Sequence, residues 1–304
     1  LKAKKPGLII GVCGCMIQQK NIVPKILHAC PHVSLLFGTN TINKLPEYFQ
    51  TIERTGEPIF EIIEEDSKAD MKLPAHRQFP FKAYVNIMYG CNNFCTYCIV
   101  PYVRGRERSR KKEDIIQEVR ELVADGATEI MLLGQNVDSY GNDFDEPISF
   151  AALLKEVDEI PGIERIRFMT SHPKDFSLEL IDVIKNSKHI CHSLHLPVQS
   201  GSNNVLKRMN RKYTREHYLD IVKHIREFIP DVALSTDIIV GFPGETEEDF
   251  LDTVDLVETV GFDNAFSFVY SKRPGTAAAS FEDQIPLEEQ KERLQRLNDV
   301  LAKW

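Results

Sequence analysis

Residues 83–98, AYVNIMYGCNNFCTYC, place an apolar strand directly before three cysteines. Cys91, Cys95 and Cys98 follow a C-x3-C-x2-C spacing, and no fourth cysteine lies nearby in the sequence. An iron–sulfur cube normally takes four cysteine ligands, so three cysteines leave one iron free to bind another molecule. The stretch therefore predicts a cluster just beyond the carboxyl end of a buried strand.

Two other interpretations of these cysteines stay open. Zinc sites with three cysteines and one histidine exist, although zinc ligands usually come as paired C-x2-C knuckles and only one such pair is present. A disulfide framework is less favoured, because Cys13 and Cys15 are too close in sequence for an ordinary bridge and seven cysteines leave one unpaired. The pattern fits a reducing cytosol and metal ligation better.

The composition is that of an ordinary globular protein. The chain has 304 residues, of which 42% are hydrophobic and 27% are charged, enough for one large domain or two smaller ones. It has no apolar run of membrane-spanning length and no signal peptide, so we expect a cytoplasmic monomer that binds no membrane. A net charge of −8 argues against generic nucleic-acid binding but leaves room for a local basic surface.

Six strand–helix units follow one another after residue 80. The apolar runs predict strands at 83–88, 129–133, 165–169, 193–198, 233–240 and 265–270. The 3.6-residue spacing predicts helices at 115–123, 150–157, 178–184, 217–228, 250–260 and 287–301. Such alternation gives parallel strands with right-handed crossovers. A closed eight-unit barrel needs about 250 residues, so we predict an α/β fold with a partial six-unit (β/α)6 barrel at 81–304.

Residues 1–60 predict part of a separate small α/β domain. Two strands are expected at 8–12 and 33–38, and two helices at 22–29 and 43–51. Residues 61–80 are acidic in part and lack a sustained period, so we interpret them as a linker to the barrel.

Polar and glycine-rich segments follow the predicted strands. The loops after the strands form the active face of a β/α barrel. We therefore expect contacts to a cofactor or substrate from five residues of these segments: Gln135, Asn136, His195, Gln199 and Ser200. For each of them the alternative is a purely structural role, as a helix cap or as the partner of a buried backbone group.

Two basic segments are candidates for RNA contacts. The first follows the cysteines and the second follows the fourth strand, and together they supply Arg104, Arg106, Arg108, Lys207, Arg208 and Arg211. Contacts to phosphates would make binding depend on salt. The alternative for the first segment is the solvated start of a helix, since acidic residues lie among its arginines.

Several segments together resemble the radical S-adenosylmethionine methylthiotransferase family. The likeness is carried by residues 90–110, 131–141, 171–173, 195–213, 237–246 and 270–276. Residues 133–141, LGQNVDSYG, look most like the MiaB-type branch, which acts on N6-isopentenyladenosine beside the anticodon of tRNA. Three alternatives remain: a relative acting on threonylcarbamoyl-adenosine in tRNA, one acting on a ribosomal-protein aspartate, and a zinc-stabilised RNA-binding module.

The resemblance implies two 4Fe–4S clusters and S-adenosylmethionine. Cys91, Cys95 and Cys98 would hold the cluster that generates a radical, which takes hydrogen from C2 of the adenine. Cys15 matches one of three ligands of an auxiliary cluster that carries the sulfur to be transferred. The motifs of its other two ligands lie upstream in the family, so we expect only the first cluster to be complete in this chain.

The resemblance also implies partners and a further domain. The partners are the tRNA anticodon stem-loop that carries N6-isopentenyladenosine and an electron donor such as flavodoxin or ferredoxin. An RNA-binding TRAM domain follows the barrel in the family, and we expect it to be absent from this chain.

Metal analysis of an anaerobically prepared sample distinguishes a cluster from a zinc site. We expect iron and acid-labile sulfide in equal amounts, about four of each per cluster, because the cysteine spacing suits a cube. Colorimetric iron and sulfide assays beside elemental zinc analysis make the measurement. Zinc without sulfide would contradict the cluster and support the zinc-stabilised module.

Overall fold

The computed structural model of the chain describes residues 2–19, 22–62 and 77–303, which form two compact units. The first unit holds the described residues up to 62 together with Val100–Arg106, and the second holds the remaining described residues. Of the predicted linker, residues 63–76 lie outside the described residues. Within the described ranges, no helix combines the length and the apolar character needed to cross a lipid bilayer.

The first unit is built on a three-stranded parallel sheet. Its strands pair in the order β1 (Gly11–Cys13), β2 (Leu35–Phe37) and β3 (Ile59–Glu61). Its helices are α1 (Val23–Ala29), α2 (Leu45–Thr55) and α3 (Val100–Arg104). The central strand β2 is buried on both faces, as is usual for a parallel strand covered by helices.

The structure corrects two sequence boundaries in this unit. The strand expected at 8–12 lies at Gly11–Cys13. Glu61, which was assigned to the linker, belongs to β3, where it lies opposite Phe37 in the parallel register. A three-residue strand has too few alternating positions to stand out in the sequence, which explains why β3 was missed.

The second unit contains a barrel of six parallel strands, and it confirms the predicted fold class. The first barrel strand is β4 (Lys82–Asn86). A short antiparallel pair of β5 (Met88–Tyr89) and β6 (Arg108–Ser109) follows. The other barrel strands are β7 (Glu129–Leu133), β8 (Arg165–Phe168), β9 (Ser193–His195), β10 (Ala233–Val240) and β11 (Asn264–Val269).

The six strands follow one another around the barrel in sequence order. They pair as β4-β7-β8 and as β9-β10-β11, with every pairing parallel. A single bridge between Ile166 of β8 and Ile190, just before β9, joins the two groups. No pairing among the described residues links β4 to β11, so the barrel is partial, as predicted.

Helices cover the outside of this arc. They are α4 (Lys112–Ala124), α5 (Phe150–Asp158), α6 (Leu178–Asn186), α7 (Asn203–Arg208), α8 (Arg215–Phe228), α9 (Glu247–Val260) and α10 (Leu287–Leu301). Side-chain caps fix several starts, and Thr246 with Asp249 forms a reciprocal capping box on α9. Of these seven helices, only the six-residue α7 was not predicted.

The strands of the barrel separate two kinds of surface. Residues such as Val85, Ile130 and Ile166 are fully buried in the core between strands and helices. The residues that alternate with them, which we call the inner face, are polar or aromatic and more exposed. They include Tyr84, Arg167, His195, Asp237, Phe266 and Phe268.

A buried ion pair holds the last helix against the loop after β10. Arg293 of α10 is only 4% exposed, and its Nη1 donates to Oε1 of Glu245 at 2.7 Å and to the Glu245 carbonyl at 3.0 Å. The same carboxylate accepts the backbone N–H of Gly241 at 2.8 Å. The pair therefore fixes the turn that follows β10.

Replacing Arg293 with Met should destabilise the second unit by about 3–5 kcal/mol, because it leaves the buried Glu245 carboxylate without its partner. Arg296→Met is the matched control on the same helix, since Arg296 lies 38% exposed in its side chain and pairs with Glu247 at the surface. We expect the control to cost about 1 kcal/mol. Urea unfolding followed by circular dichroism measures both, and equal losses would contradict the prediction.

Candidate iron–sulfur site at the carboxyl ends of the strands

The three predicted ligand cysteines lie in one irregular loop of the second unit, between β5 and α3. Cys95 is buried, whereas Cys91 and Cys98 are half-buried. The Asn93 N–H points at the Cys91 sulfur at 3.5 Å, and the Cys98 N–H donates to the Cys95 carbonyl at 2.9 Å. Both contacts join residues that lie close together within the loop.

Hydrogen bonds to distant segments of the second unit hold the loop in place. The Thr96 N–H donates to the carbonyl of Met209 at 3.0 Å, and its hydroxyl donates to the carbonyl of Arg208 at 2.9 Å. The Asn210 amide donates to the Phe94 carbonyl at 3.0 Å. On the other side, the Ala278 N–H donates to the Thr96 carbonyl at 2.8 Å. Residues 208–210, at the end of α7 and just after it, therefore hold the loop at Phe94 and Thr96.

The chemistry of these cysteines fits an iron–sulfur cluster. Burial raises the pKa of the Cys91 thiol to about 11, and a bound metal centre stabilises the thiolate form that ligation requires. Among the described residues, no group of three His, Cys, Asp or Glu side chains is arranged to hold a single metal ion. The three thiols share one loop, and thiolates are the ligands that iron–sulfur clusters take.

A cavity of about 350 Å³ opens beside this loop. It lies where β10 and β11 end, and it combines apolar walls with a few polar groups. Its lining includes Tyr97, Cys98, Gln199, Asp237, Ile239 and Tyr270. A mostly apolar pocket with a few convergent polar groups is the usual form of a small-molecule site.

Two predicted contact residues lie at this cavity or beside it. Gln199 lines it, with φ at +69° and with its backbone bonded to Asp237 and Ile239 of β10 at 2.8 and 2.9 Å. The ring of His195 bonds the Ser235 hydroxyl through Nδ1 at 3.0 Å, while its Nε2 lies 3.5 Å from an Asp237 oxygen. Asp237 was not predicted, and a carboxylate inside a predicted strand was the available signal.

Gln135 and Asn136 lie on the loop after β7, away from the residues that line this cavity. The Asn136 amide donates to Asp175 at 2.7 Å. The side-chain amide oxygens, Oδ1 of Asn136 and Oε1 of Gln135, are buried, and neither has a partner among the described residues. Buried acceptors normally have a donor, so both oxygens are suited to receive one from a bound molecule.

Ser200, an expected cofactor contact, packs against α9. It is fully buried, and its hydroxyl bonds the Thr253 hydroxyl of α9 at 3.2 Å and accepts the Ser202 N–H at 3.2 Å. The next residue, Gly201, lies so close to the backbone of α9 that a Cβ would collide with Asp252 and Thr253. This turn therefore packs tightly against α9.

The six basic candidates for RNA contacts differ in their exposure. Lys207 and Arg106 are exposed, while Arg104, Arg108 and Arg208 are half-buried. Arg208 donates to the Pro243 carbonyl at 3.0 Å and pairs with Asp283 at 2.6 Å. Arg211, also expected at phosphates, is buried against Cys95. The sequence showed its charge but not its burial.

Cys15, the candidate auxiliary ligand, lies in the first unit. It begins a short 3-10 helix at Cys15–Gln18 and is half-buried. Within the same unit, Nε of Arg104 donates to its sulfur at 3.2 Å. An arginine therefore points at a cysteine sulfur in each unit.

Comparisons with known proteins agree with this geometry. Residues 85–257 match the model of the Radical SAM superfamily. The chain is 57% identical over 297 residues to the tRNA-2-methylthio-N(6)-dimethylallyladenosine synthase of Lachnoclostridium phytofermentans. The aligned residues are 98% of this chain and 65% of that relative. It is 55% identical over 303 residues to the protein of the same name from Clostridium perfringens, across 100% of this chain and 68% of the relative.

A solved structure with the same fold is that of coproporphyrinogen III oxidase, HemN, from Escherichia coli, described as a radical SAM enzyme. The TM-score is 0.52 at 19% identity, over 74% of this chain and 54% of that one. The family uses a 4Fe–4S cluster and S-adenosylmethionine, which confirms both predicted cofactors. The chain belongs to the radical SAM superfamily and, within it, to the family of tRNA-2-methylthio-N(6)-dimethylallyladenosine synthases.

Proposed function

We propose that this chain takes part in methylthiolation at C2 of N6-isopentenyladenosine, beside the anticodon of tRNA. The observation that carries the proposal is the anchored cysteine loop that opens onto the cavity at the ends of β10 and β11. The relatives that match almost the whole chain are named for this reaction, since dimethylallyl and isopentenyl denote the same hydrocarbon substituent.

Cys91, Cys95 and Cys98 would hold the 4Fe–4S cluster. The two cofactors would together supply a carbon radical that removes a hydrogen atom from the substrate: the cluster would give one electron, and S-adenosylmethionine would give the carbon fragment as its carbon–sulfur bond breaks and methionine leaves. The chain's own contribution is position and shielding. Ile239, Phe268 and Tyr270 give the cavity apolar walls that exclude water, and Asp237 and Gln199 are the polar groups that would orient the bound cofactor.

The inner face of the barrel suits a base taken out of its stack. Phe266 and Phe268 of β11 are about half exposed there, on the side of the strand away from α10. Proteins that read RNA loops stack unpaired bases on such aromatic rings. Exposed Lys207 and Arg106, with half-buried Arg104, Arg108 and Arg208, are the proposed contacts to the phosphates of the anticodon loop.

The domain assignment is part of the same proposal. Residues 1–60 would be the C-terminal portion of a domain that holds the auxiliary cluster, with Cys15 as one ligand, and residues 81–304 would be the radical domain. The bond from Arg104 to the Cys15 sulfur supports this role, because N–H groups that point at sulfur are common around iron–sulfur clusters.

We also propose a cytoplasmic monomer that takes electrons from a small donor such as flavodoxin or ferredoxin. None of the seven cysteines, all of which lie in the described part of the chain, forms a disulfide, which fits a reducing compartment. The alternative substrates, threonylcarbamoyl-adenosine and a ribosomal-protein aspartate, have no support from the names of these relatives.

Cleavage of S-adenosylmethionine tests the first half of this proposal. After anaerobic iron and sulfide reconstitution and reduction with dithionite, the chain should release 5′-deoxyadenosine, which mass spectrometry detects. The Cys91→Ala/Cys95→Ala/Cys98→Ala variant should fall to the background of dithionite alone, because it has no ligands for the cluster. Cys191→Ala, the remaining cysteine of the second unit, is the control and should keep wild-type release. An active triple variant, or an inactive reconstituted wild type, would refute this role of the cysteines.

The tRNA of a deletion strain tests the substrate. Deleting the gene that encodes this chain should remove 2-methylthio-N6-isopentenyladenosine from digested tRNA and leave N6-isopentenyladenosine in its place, as measured by liquid chromatography and mass spectrometry. The intact gene should restore the methylthio group, and the triple cysteine variant should not. Loss of a methylthio group from threonylcarbamoyl-adenosine or from a ribosomal protein instead would assign the chain to another branch.

A further inference from the structure

Arg211 places a guanidinium group in the interior of the second unit, beside the cysteine loop. The residue is only 8% exposed. Its Nη1 donates to the sulfur of Cys95 at 3.3 Å, its Nε to the hydroxyl of Tyr213 at 2.9 Å and its Nη2 to the carbonyl of Pro197 at 3.2 Å. Because the guanidinium is planar, three bonds in different directions fix how it points at the sulfur.

The positive charge of Arg211 has no carboxylate partner. Its polar contacts within the described residues are a phenol, a carbonyl and a sulfur. Arg293, which is equally buried, shows the usual arrangement, because its charge meets Glu245 at 2.7 Å. A buried charge without an opposite charge is costly. A thiolate at Cys95, bound to a cluster, supplies the negative charge that this position lacks.

The same arrangement affects the redox chemistry of the cluster. An iron–sulfur cube on three thiolates carries negative charge, and it becomes more negative when it gains an electron. A hydrogen bond to a ligand sulfur and a nearby positive charge both stabilise the more negative form, and both therefore raise the reduction potential. Burial strengthens the effect, since the interaction acts in a medium of low dielectric constant.

We propose that Arg211 is a positioning residue that aims a charged N–H group at the Cys95 sulfur and thereby raises the reduction potential of the cluster. The step affected is the uptake of one electron by the cluster from an external reductant, such as a reduced flavodoxin or dithionite. No bond of the chain forms or breaks in it. The proposal rests on the proposed function only in requiring a cluster on this loop.

A redox titration of the reconstituted chain, followed by electron paramagnetic resonance, tests this role. In Arg211→Gln the ratio of reduced to oxidised cluster at a fixed ambient potential should fall at least tenfold, which is about 59 mV for a one-electron couple. Lys212→Gln is the matched control. It removes one positive charge from the next residue of the same segment, but Lys212 is exposed rather than buried beside a ligand sulfur. We expect its potential to equal that of the wild type.

Iron and sulfide content separates this role from a merely structural one. An Arg211→Gln protein with full iron content and a wild-type potential would overturn the proposal. If that variant does not assemble its cluster, Arg211→Lys and Tyr213→Phe decide the matter, because both keep a positive charge in place and disturb only its aim. Lower potentials in them support the proposal, and wild-type potentials in both overturn it. Failure of the wild type itself to assemble a cluster would instead reject the function proposed above.

Discussion

The cysteine loop depends on hydrogen bonds that reach it from residues 208–211. Its own backbone is irregular, yet Thr96 is held by two successive carbonyls and the Phe94 carbonyl is held by the Asn210 amide. That segment is itself fixed, since α7 is tied to α9 through the Ser202 hydroxyl and the Asp249 carboxylate at 2.5 Å. The position of the thiols is therefore decided by packing between two helices rather than by the loop.

The barrel divides its strand residues between two tasks. One face is apolar and packs under the helices, which gives the unit its stability through burial. The other face carries the polar and aromatic side chains. Asp237 lies on this face, and its two neighbours along the strand, Thr236 and Ile238, are buried. Because the period of a strand is two, a functional side chain can occupy a core strand without disturbing the core.

This division also explains what the sequence could predict. Two strands and one helix have the predicted bounds, because many of their residues repeat one strong period. They are strands Glu129–Leu133 and Ala233–Val240 and helix Leu287–Leu301. Helix α7 has only six residues, too few for a period to emerge. The burial of Arg211 was not predicted, because its contact to Cys95 joins residues 116 apart in the chain and no local pattern records such a contact.

The buried charge of Arg211 would link binding of the cluster to the stability of the surrounding fold. Among the described residues, the guanidinium makes its polar contacts with a phenol, a carbonyl and a sulfur, and burying a charge among such groups is costly. An anionic cluster on Cys95 would remove that cost, so binding of the cofactor would also stabilise the local fold. A chain with its cluster bound would then resist unfolding and proteolysis more strongly than the same chain without it.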